Sequence, residues 1–589
     1  MKKFFKILLA SFCGALLAML FFAIISFSML SGIASSFSKE TTPVVPASAI
    51  LKLDFSETIS EQGIDDPFAS LNPMVSSSKS ISIRTLVEAI DKAAEDNAIK
   101  FIYMNTDKLM GTELVYLEEL RSALMRFRES GKAIVSWATN YDQSTYYIAS
   151  TADKIYVEPN SANFFLGIST NLIFFKDLLD NLGIEIQLIR HGKYKAAAEQ
   201  FVNKSISKEN LEQNKVMLGT MWSTMVESIC SSREITPGRF NYLVDNLELL
   251  LPESLAENNL IDGVKYKDEM DNYLCEIFGV SKAKDLKSIS ASKYHQARKK
   301  TNLKIKDKIA ILYVDGEIVD GDENNMVAGN RFANIISRIR QDSTVKALVM
   351  RVNSPGGSSQ ASALIERELG LLKQEKPIVV SMGTYAASGG YWIAANADKI
   401  FTNSTTLTGS IGVFSLVPNF APGMKKHLSL NSVPITTNKH SDIMGLMRPL
   451  DKTETELMQL MVDNVYTDFL NVVSQGRNMS VSEVDAIGEG RVWAGGDATT
   501  IGLADSIGGL HDAILYAASL AQLDGYRIIE YPTPVSPMEK VMQSLNMASA
   551  TISAFASPEE AIGKLYSNIG NNGKATTFAR LPYIYNFSY

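Results

Sequence analysis

An internal duplication constrains the fold of this chain more than any other feature of its sequence. The segment YYIASTADKI at 146–155 returns as YWIAANADKI at 391–400. Each copy begins with a short apolar segment, AILKLD at 49–54 and AILYVD at 310–315. A matched signature inside a matched order of apolar segments does not follow from composition. The chain therefore contains two diverged copies of one unit.

The two copies predict an α/β fold built from tandem units. Within each copy, short β-branched segments alternate with amphipathic helical segments, which is typical of βαβ units and a mainly parallel sheet with flanking helices. We place the copies at 45–280 and 307–530, because 589 residues exceed what one hydrophobic core supports. Between them, 281–306 carries a run of lysines and is predicted to be a solvated basic linker. The remainder, 531–589, is predicted to form a helix over 538–555 and an aromatic tail.

The N-terminal segment 1–36 has the pattern of a membrane anchor. Three lysines in the first six residues precede an uncharged stretch, 7–30, which is long enough to cross about 30 Å of hydrocarbon as a helix. Basic residues on that side place the N-terminus in the cytoplasm, so the rest of the chain is expected on the outer face of the membrane. A cleaved signal peptide is the alternative, because 31–38 is rich in small residues. The apolar stretch is longer than a signal peptide needs, which favours the anchor.

Composition argues against several other classes of protein. A formal net charge of -7 argues against nucleic acid as the main partner, since a phosphate-binding surface carries a basic excess. No HExxH or CxxC spacing occurs, so neither a metal nor another cofactor is expected. Three cysteines cannot form a disulfide framework. Cys230 and Cys275 could pair in an oxidising compartment, but two buried free thiols are the favoured interpretation.

Ser388 follows a strand-like segment inside a stretch of small residues, AASGG at 386–390. Small neighbours let the chain turn sharply and present the hydroxyl, as in a nucleophile elbow, although the hydrolase pattern GxSxG is absent. A helix-like stretch begins at Tyr391, and a helix N-terminus offers free N–H groups to an oxyanion. Alternatively, the glycines serve only the close packing of strand and helix, and Ser388 caps the helix.

A second glycine motif favours the catalytic interpretation. Residues 353–358 read NSPGGS and again follow a strand and precede a helix, and open parallel sheets bind ligands at such strand ends. A Gly-Gly turn can direct main-chain N–H groups inward. The N–H of Gly357 (or Gly356), joined by that of Gly389, is therefore a candidate oxyanion hole. The motif is a poor match to a phosphate loop, because it lacks the Lys-Ser/Thr of that motif.

The first copy has lost both motifs. KLMG at 108–111 stands in place of Ser-Pro-Gly-Gly, and Gln143 falls opposite Ser388. The second copy alone is therefore predicted to carry the nucleophile.

These motifs, in this order on a duplicated unit, resemble the signal peptide peptidase A family in its double-length, membrane-anchored form. TGSIGV at 408–413 and GRVWAG at 490–495 extend the resemblance along the chain. More distantly, the motifs resemble the Clp protease proteolytic subunit and the crotonase-like fold. The resemblance implies tandem Clp/crotonase-like units with parallel sheets and flanking helices, preceded by one transmembrane helix.

The resemblance, rather than any spacing, implies the base. The double-length family takes its base from the first copy, in a segment that here reads YKAA at 194–197 and carries the role onto Lys195. Ser410 of the TGSIG segment is implied to hydrogen-bond that lysine. A lysine must lose its proton to accept one from serine. Desolvation is expected to lower the pKa of Lys195, aided by Arg190 and Lys193 if they lie close.

Lys439 and His440, in the second copy, are the rival bases. Single-length relatives carry their own base in a similar segment, roughly where Ser441 stands. A Ser-His-Asp triad through His440 or His511 has no support from the family.

The resemblance implies a serine endopeptidase with a Ser-Lys dyad that degrades cleaved signal peptides at the outer, periplasmic face of a bacterial inner membrane. Its implied partners are remnant signal peptides and other apolar peptides, the membrane itself, and further copies of the chain in a homotetramer. A crotonase-like acyl-transfer enzyme or thioesterase is the first alternative. An inactive membrane-protein scaffold is the second, and it is favoured if Ser388 is buried or far from any lysine.

Overall fold

The computed structural model describes most of the chain beyond the N-terminal segment. The described residues are 43–63, 79–299, 302–324, 326–443, 445–533, the strand 577–580, and the isolated positions 14 and 21. The predicted anchor, apart from those two positions, and the helix expected over 538–555 lie outside the described residues. In the part that is described, no helix combines the length and apolar character needed to cross a membrane.

The first repeat is built on one parallel sheet. Its strands are β1 (Ala49–Leu53), β2 (Thr58–Ser60), β3 (Ser80–Ser82), β4 (Ile99–Asn105), β5 (Ile134–Ala138), β6 (Lys154–Val157), β7 (Glu185–His191), β8 (Gly263–Val264) and β9 (Ser288–Ser290). Its helices are α1 (Ile83–Glu95), α2 (Leu114–Glu129), α3 (Gln143–Ala149), α4 (Lys176–Leu182), α5 (Glu199–Val202), α6 (Lys208–Arg233), α7 (Pro237–Asp245), α8 (Pro252–Glu257), α9 (Lys267–Phe278) and α10 (Ala291–Arg298). Six strands pair in parallel in the order β8-β6-β5-β4-β1-β9, and β2 pairs with β3 beside them.

The second repeat has the same core order. Its strands are β10 (Lys308–Asp315), β11 (Ile318–Val319), β12 (Val327–Ala328), β13 (Val345–Ser354), β14 (Gly356–Ser358), β15 (Ile378–Ala387), β16 (Lys399–Thr402), β17 (Leu407–Gly409), β18 (Val413–Asn419), β19 (Val492–Ala494), β20 (Ser506–Ile507), β21 (Arg527–Tyr531) and, further on, β22 (Thr577–Arg580). Its helices are α11 (Gly329–Gln341), α12 (Ser359–Lys373), α13 (Gly389–Ala394), α14 (Ala421–Leu428), α15 (Lys452–Arg477), α16 (Val481–Ile487), α17 (Gly495–Thr500) and α18 (Leu510–Leu520). Strands β20-β16-β15-β13-β10-β21 repeat the parallel order of the first sheet, and β17 with the antiparallel β19 extends from β15. The duplication and the mixed α/β architecture with parallel sheets are therefore present in the fold.

Local sequence rules account for the main elements. Helix α1 begins where the Ser82 side chain accepts a hydrogen bond from the N–H of Thr85, and it turns an apolar stripe toward the sheet. Strands β13 and β15 are apolar along most of their length and buried on both faces, as the central strands of a helix-covered parallel sheet must be. Cys230 and Cys275 are both buried free thiols, as favoured by the sequence.

The segment expected to be a basic linker is only partly solvated. Its described lysines are exposed, but β9 pairs with β1 and α10 packs on α1. His295 of α10 hydrogen-bonds Glu88 at 2.8 Å, and Ile289 and Tyr294 are buried. Strand β9 occupies the sheet position that β21 occupies in the second repeat. The segment is therefore more than a solvated connection, because it also contributes a strand and a helix to the first repeat.

A third sheet joins the two repeats and positions the site. Its order is β12-β11-β14-β22-β18-β7, so β7 of the first repeat pairs with β18 of the second. The pairing is antiparallel, with His191 opposite Val413 and Glu185 opposite Asn419. Lys195 lies four residues after His191, and Ser410 lies three residues before Val413. Because antiparallel strands bring these flanking residues to the same end, the pairing places a first-repeat lysine beside the second repeat's active-site loops.

Candidate active site

Ser388 lies at a strained turn between β15 and α13. Its backbone has φ 56° and ψ −117°, a conformation that non-glycine residues rarely adopt. The turn is held because the N–H of Ser388 donates to Gly409 O at 2.8 Å and its carbonyl accepts from Trp392. The small residues of the AASGG stretch allow the strand and helix to meet closely here. The local geometry is that of a nucleophile elbow, as the sequence predicted.

Lys195 meets Ser388 within one chain. Its Nζ is 2.7 Å from Ser388 Oγ, 2.9 Å from the carbonyl oxygen of Ser410 and 3.0 Å from Ser410 Oγ. All three side chains are fully buried. The positions that the family resemblance assigned to nucleophile, base and lysine-orienting serine are therefore adjacent.

Burial lowers the pKa of Lys195 well below the ordinary value for a lysine. Burial is the sole cause of this shift, and the expected help from neighbouring cations is absent. Lys193 is at the surface, in an ion pair with Glu489. Arg190 contacts the carbonyl of Lys195 at 3.2 Å and lies 3.5 Å from Glu199. Desolvation alone therefore favours the neutral amine that a general base requires.

A loop near the end of the second repeat fixes the backbone of Lys195. The N–H of Tyr194 donates to Glu489 O at 2.9 Å, and the N–H of Gly490 donates to Ile411 O at 2.6 Å. Gly490 has φ +81°, and a Cβ at this position would lie 2.5 Å from the N and Cβ atoms of Lys195. Only glycine fits this close approach. The sequence motif GRVWAG carried this residue, but its role was not deduced.

Gln213 is a second residue that sequence reasoning missed. Its side chain donates to Tyr194 O at 3.2 Å and accepts from the N–H of Val492 at 3.2 Å. This buried amide on α6 therefore bridges the lysine segment and the loop that covers it. No short motif marks such a residue, because both partners are distant in sequence.

The second glycine motif, which carries the candidate oxyanion hole, forms β14. Gly357 has φ +156°, and a Cβ there would lie 1.9 Å from Ile318 O on β11. The N–H of Gly356 donates to Ser354 Oγ at 3.2 Å, and Gly357 pairs with Ile318 of β11. Gly389 is the first residue of α13, where an N–H has no partner within the helix.

The rival bases are engaged elsewhere. Lys439 is exposed, and His440 Nδ1 is 2.8 Å from Glu454 Oε1. His511 lies 3.6 Å from Asp91. In the first repeat, Gln143 begins α3 as Ser388 precedes α13, but its amide only bonds the main chain at Leu166 and Gly167.

Comparison with known proteins places this arrangement in a family. Peptidase family S49 matches the chain twice, over residues 126–280 and 370–524. The chain belongs to peptidase family S49. It is 34% identical over 515 residues to Protease 4 of Haemophilus influenzae, covering 85% of this chain and 82% of the relative. It is 33% identical over 473 residues to Protease 4 of Salmonella typhi (79% and 76%) and 33% identical over 456 residues to the chloroplastic serine protease SPPA of Arabidopsis thaliana (75% and 66%).

The two matches follow the duplication. They establish this S49 protein as a serine peptidase of the double-length signal peptide peptidase A form. The family match begins at residue 126 in the first repeat and at residue 370 in the second. It therefore covers both Lys195 and Ser388.

Proposed function

We propose that this S49 peptidase hydrolyses peptides with a dyad formed by Ser388 and Lys195. The observation that carries the proposal is the 2.7 Å contact between Lys195 Nζ and Ser388 Oγ, in a site where burial lowers the pKa of the lysine. A neutral amine accepts the serine proton through its lone pair while one of its N–H bonds is held by Ser410 O at 2.9 Å. Ser388 Oγ then attacks the peptide carbonyl.

The remaining steps use the same atoms. The carbonyl oxygen becomes an oxyanion, which the N–H groups of Gly357 and Gly389 stabilise. Protonated Lys195 returns its proton to the leaving amine, and the acyl group remains on Ser388 Oγ. Water then gives a proton to Lys195 and attacks the ester. Lys195 passes that proton to Ser388 Oγ as the bond between Oγ and the acyl carbon breaks, which releases the acid and restores the serine.

The third sheet supports an extended peptide as the substrate. Strand β22 of the same chain lies between β14 and β18 and is antiparallel to both. The gap beside the Gly-Gly motif therefore accepts a peptide main chain as an added strand. A substrate would take the place of this strand.

One feature favours an inactive scaffold. Ser388 is fully buried, which was one of the two conditions for that alternative; the other, distance from a lysine, does not hold. Activity decides between them. The full chain in detergent should cleave an apolar peptide of signal-peptide composition, and Ser388→Ala should abolish cleavage, whereas the matched control Ser441→Ala, at an exposed serine, should not.

Hydrolysis of an acyl thioester with no cleavage of the peptide would support the thioesterase alternative instead. If the Ser388→Ala variant retained both peptide cleavage and thioester hydrolysis, Ser388 would not be the nucleophile.

We further propose that signal peptides are the natural substrates and that segment 1–36 holds the catalytic unit at the outer face of the inner membrane. Three lysines before the uncharged stretch 7–30 support that orientation. A reporter fused after Ser38 should be active only outside the cytoplasm. Cytoplasmic activity of the fusion would overturn both the location and the substrate class.

Assembly into a homotetramer is proposed from the family resemblance and from exposed apolar side chains. At the end of α14 and just beyond it, the exposed apolar side chains are Leu428, Leu430, Val433 and Ile435, the last almost completely at 98%. An apolar patch of this kind on a described surface is typical of a protein contact.

A further inference from the structure

An acidic cavity lies at the boundary between the repeats. Its volume is about 440 Å³, and it is open to solvent on one side. Four carboxylates and one lysine line it: Glu57, Glu61, Glu113, Asp315 and Lys108. The described lining therefore carries three more negative than positive charges.

Glu61 lines this cavity, and one oxygen of its carboxylate, Oε1, lies against Gly383. Its side chain is 1% exposed, and Oε2 accepts a hydrogen bond from Arg351 Nε at 2.8 Å. Oε1 is buried and has no hydrogen-bond partner among the described residues. The guanidinium of Arg351 is shared with Glu119 at 2.7 Å. Burial, with repulsion from Glu119 and Asp315, raises the pKa of Glu61 to about 7.

Glu113 and Asp315 each accept one described side-chain hydrogen bond, and Asp315 is exposed to solvent. Glu113 Oε2 accepts from the Thr384 hydroxyl, and Asp315 Oδ1 accepts from the Asn353 amide at 2.9 Å. Burial raises the pKa of both carboxyls, and the positive charge of Arg351 lowers each pKa in part. A ligand that brings positive charge and N–H donors would satisfy these groups.

The arrangement fits an extended cation better than a bare metal ion. Among the described residues, the one group whose ligand atoms converge within 4.8 Å is His440, Asp451 and Glu454, which is elsewhere and already binds Arg448. The carboxylates of the acidic cavity do not converge in this way, so a side chain with several N–H bonds reaches them more readily.

The cavity adjoins the proposed catalytic site. Asn353 lines it and immediately precedes the loop that leads to Gly357, and its Oδ1 accepts from the N–H of Tyr385 at 3.1 Å. Tyr385 is three residues before Ser388, about 10 Å along an extended strand. A side chain three or four residues from the cleaved bond of an extended peptide spans a comparable distance.

We propose that this cavity is a subsite for a lysine or arginine side chain of the peptide substrate. The inference rests on the proposed peptidase function and names a feature of its substrates. Signal peptides carry basic residues beside their apolar stretch, so such a subsite would select them from other apolar peptides.

The test compares two series of peptides with the full-length protein. One apolar sequence carries a single lysine moved through successive positions, and the other carries glutamine at the same positions. At one position, three or four residues from the cleaved bond, the ratio of kcat/KM for lysine over glutamine should reach about tenfold or more. The combined variant Glu113→Gln/Asp315→Asn should bring that ratio close to one, whereas the exposed control Glu129→Gln should keep it.

The ratio of the two kcat/KM values distinguishes a folding defect from a change in recognition. An unfolded fraction of the protein lowers the rates for the lysine and the glutamine peptides equally. A ratio near one in the unaltered protein, or a ratio that survives the double substitution, would overturn the subsite while leaving the peptidase intact. If neither series is cleaved, the peptidase proposal fails, and the subsite with it.

Discussion

Ser388 has an unusual backbone conformation and Lys195 has an unusual pKa, and the two have different causes. Ser388 is strained by its own neighbours in sequence: a strand, small residues and a helix leave φ at 56°. Lys195 is perturbed by residues far from it in sequence. The segments that enclose this residue lie near 388 and 410, at its amine, and near 490, at its backbone and Cβ.

The first prediction concerns the protonation of Lys195. The neutral amine is the active form, so kcat/KM should rise with pH through an apparent pKa below that of a free lysine. Lys195→Ala should lower activity on the order of ten-thousandfold or more. The matched control Lys439→Ala should retain it, since Lys439 is exposed. A pH–rate profile of kcat/KM for the three proteins checks both statements.

The thermal stability of a Lys195 variant shows whether that variant is folded. The folded state keeps Lys195 neutral at a pH where the unfolded chain binds a proton, so this group opposes folding at neutral pH and the penalty fades as pH rises toward 10.4. Lys195→Met should therefore raise Tm at pH 7 while abolishing activity. An active, folded Lys195→Met protein would assign the base to another residue.

At the scale of elements, the pairing of β7 with β18 delivers the lysine. The strands come from different repeats and pair through seven residue pairs, from His191 opposite Val413 to Glu185 opposite Asn419. The loop at Gly490 then covers the lysine segment from the other side. Both contacts join segments that are far apart in sequence. The site therefore depends on the correct docking of whole elements.

The second prediction tests that docking at Gly490. Gly490→Ala forces a Cβ against Lys195, whereas Gly502→Ala places one in open space with Met479 Sδ at 3.8 Å. Both positions have φ near +80°, so both variants should lose about 1 kcal/mol of stability or somewhat more from the backbone alone. Only Gly490→Ala should also lose activity, by about tenfold or more. Equal losses of kcat/KM at equal Tm would show that the close approach does not position the lysine.

At the scale of the molecule, the two repeats contribute different groups to the proposed dyad. The two repeats keep the same parallel strand order. The second keeps the serine and the glycine motif, and the first supplies Lys195 to it. Because the lysine reaches the serine across the boundary between the repeats, neither repeat alone contains both groups of the proposed dyad.

The third prediction concerns assembly of the whole chain. Val433→Asp/Ile435→Asp places two charges on the exposed apolar segment after α14 and should lower the mass in solution from that of the proposed tetramer. Leu303→Asp is the matched control, at a side chain that is 76% exposed between the repeats. Sedimentation in detergent at one protein concentration measures both. Unchanged mass in the first variant would place the contact on another surface.

The sequence by itself determined the duplication, the α/β class and the sharp turn at Ser388, because strand periodicity and a turn of small residues are local properties. It also favoured free thiols at Cys230 and Cys275, which the structure confirms. The run of lysines before the second repeat predicted a solvated linker, but the segment also contains a strand and a helix, in which Ile289 and Tyr294 are buried.

Only the tertiary structure decided what surrounds Lys195. Any lysine in isolation is expected at the surface, and family resemblance rather than residue pattern selected this one. Its burial, its lowered pKa and its contact with Ser388 arise from residues about two hundred to three hundred positions away. Desolvation depends on everything packed around a group, and no short stretch of sequence contains that information.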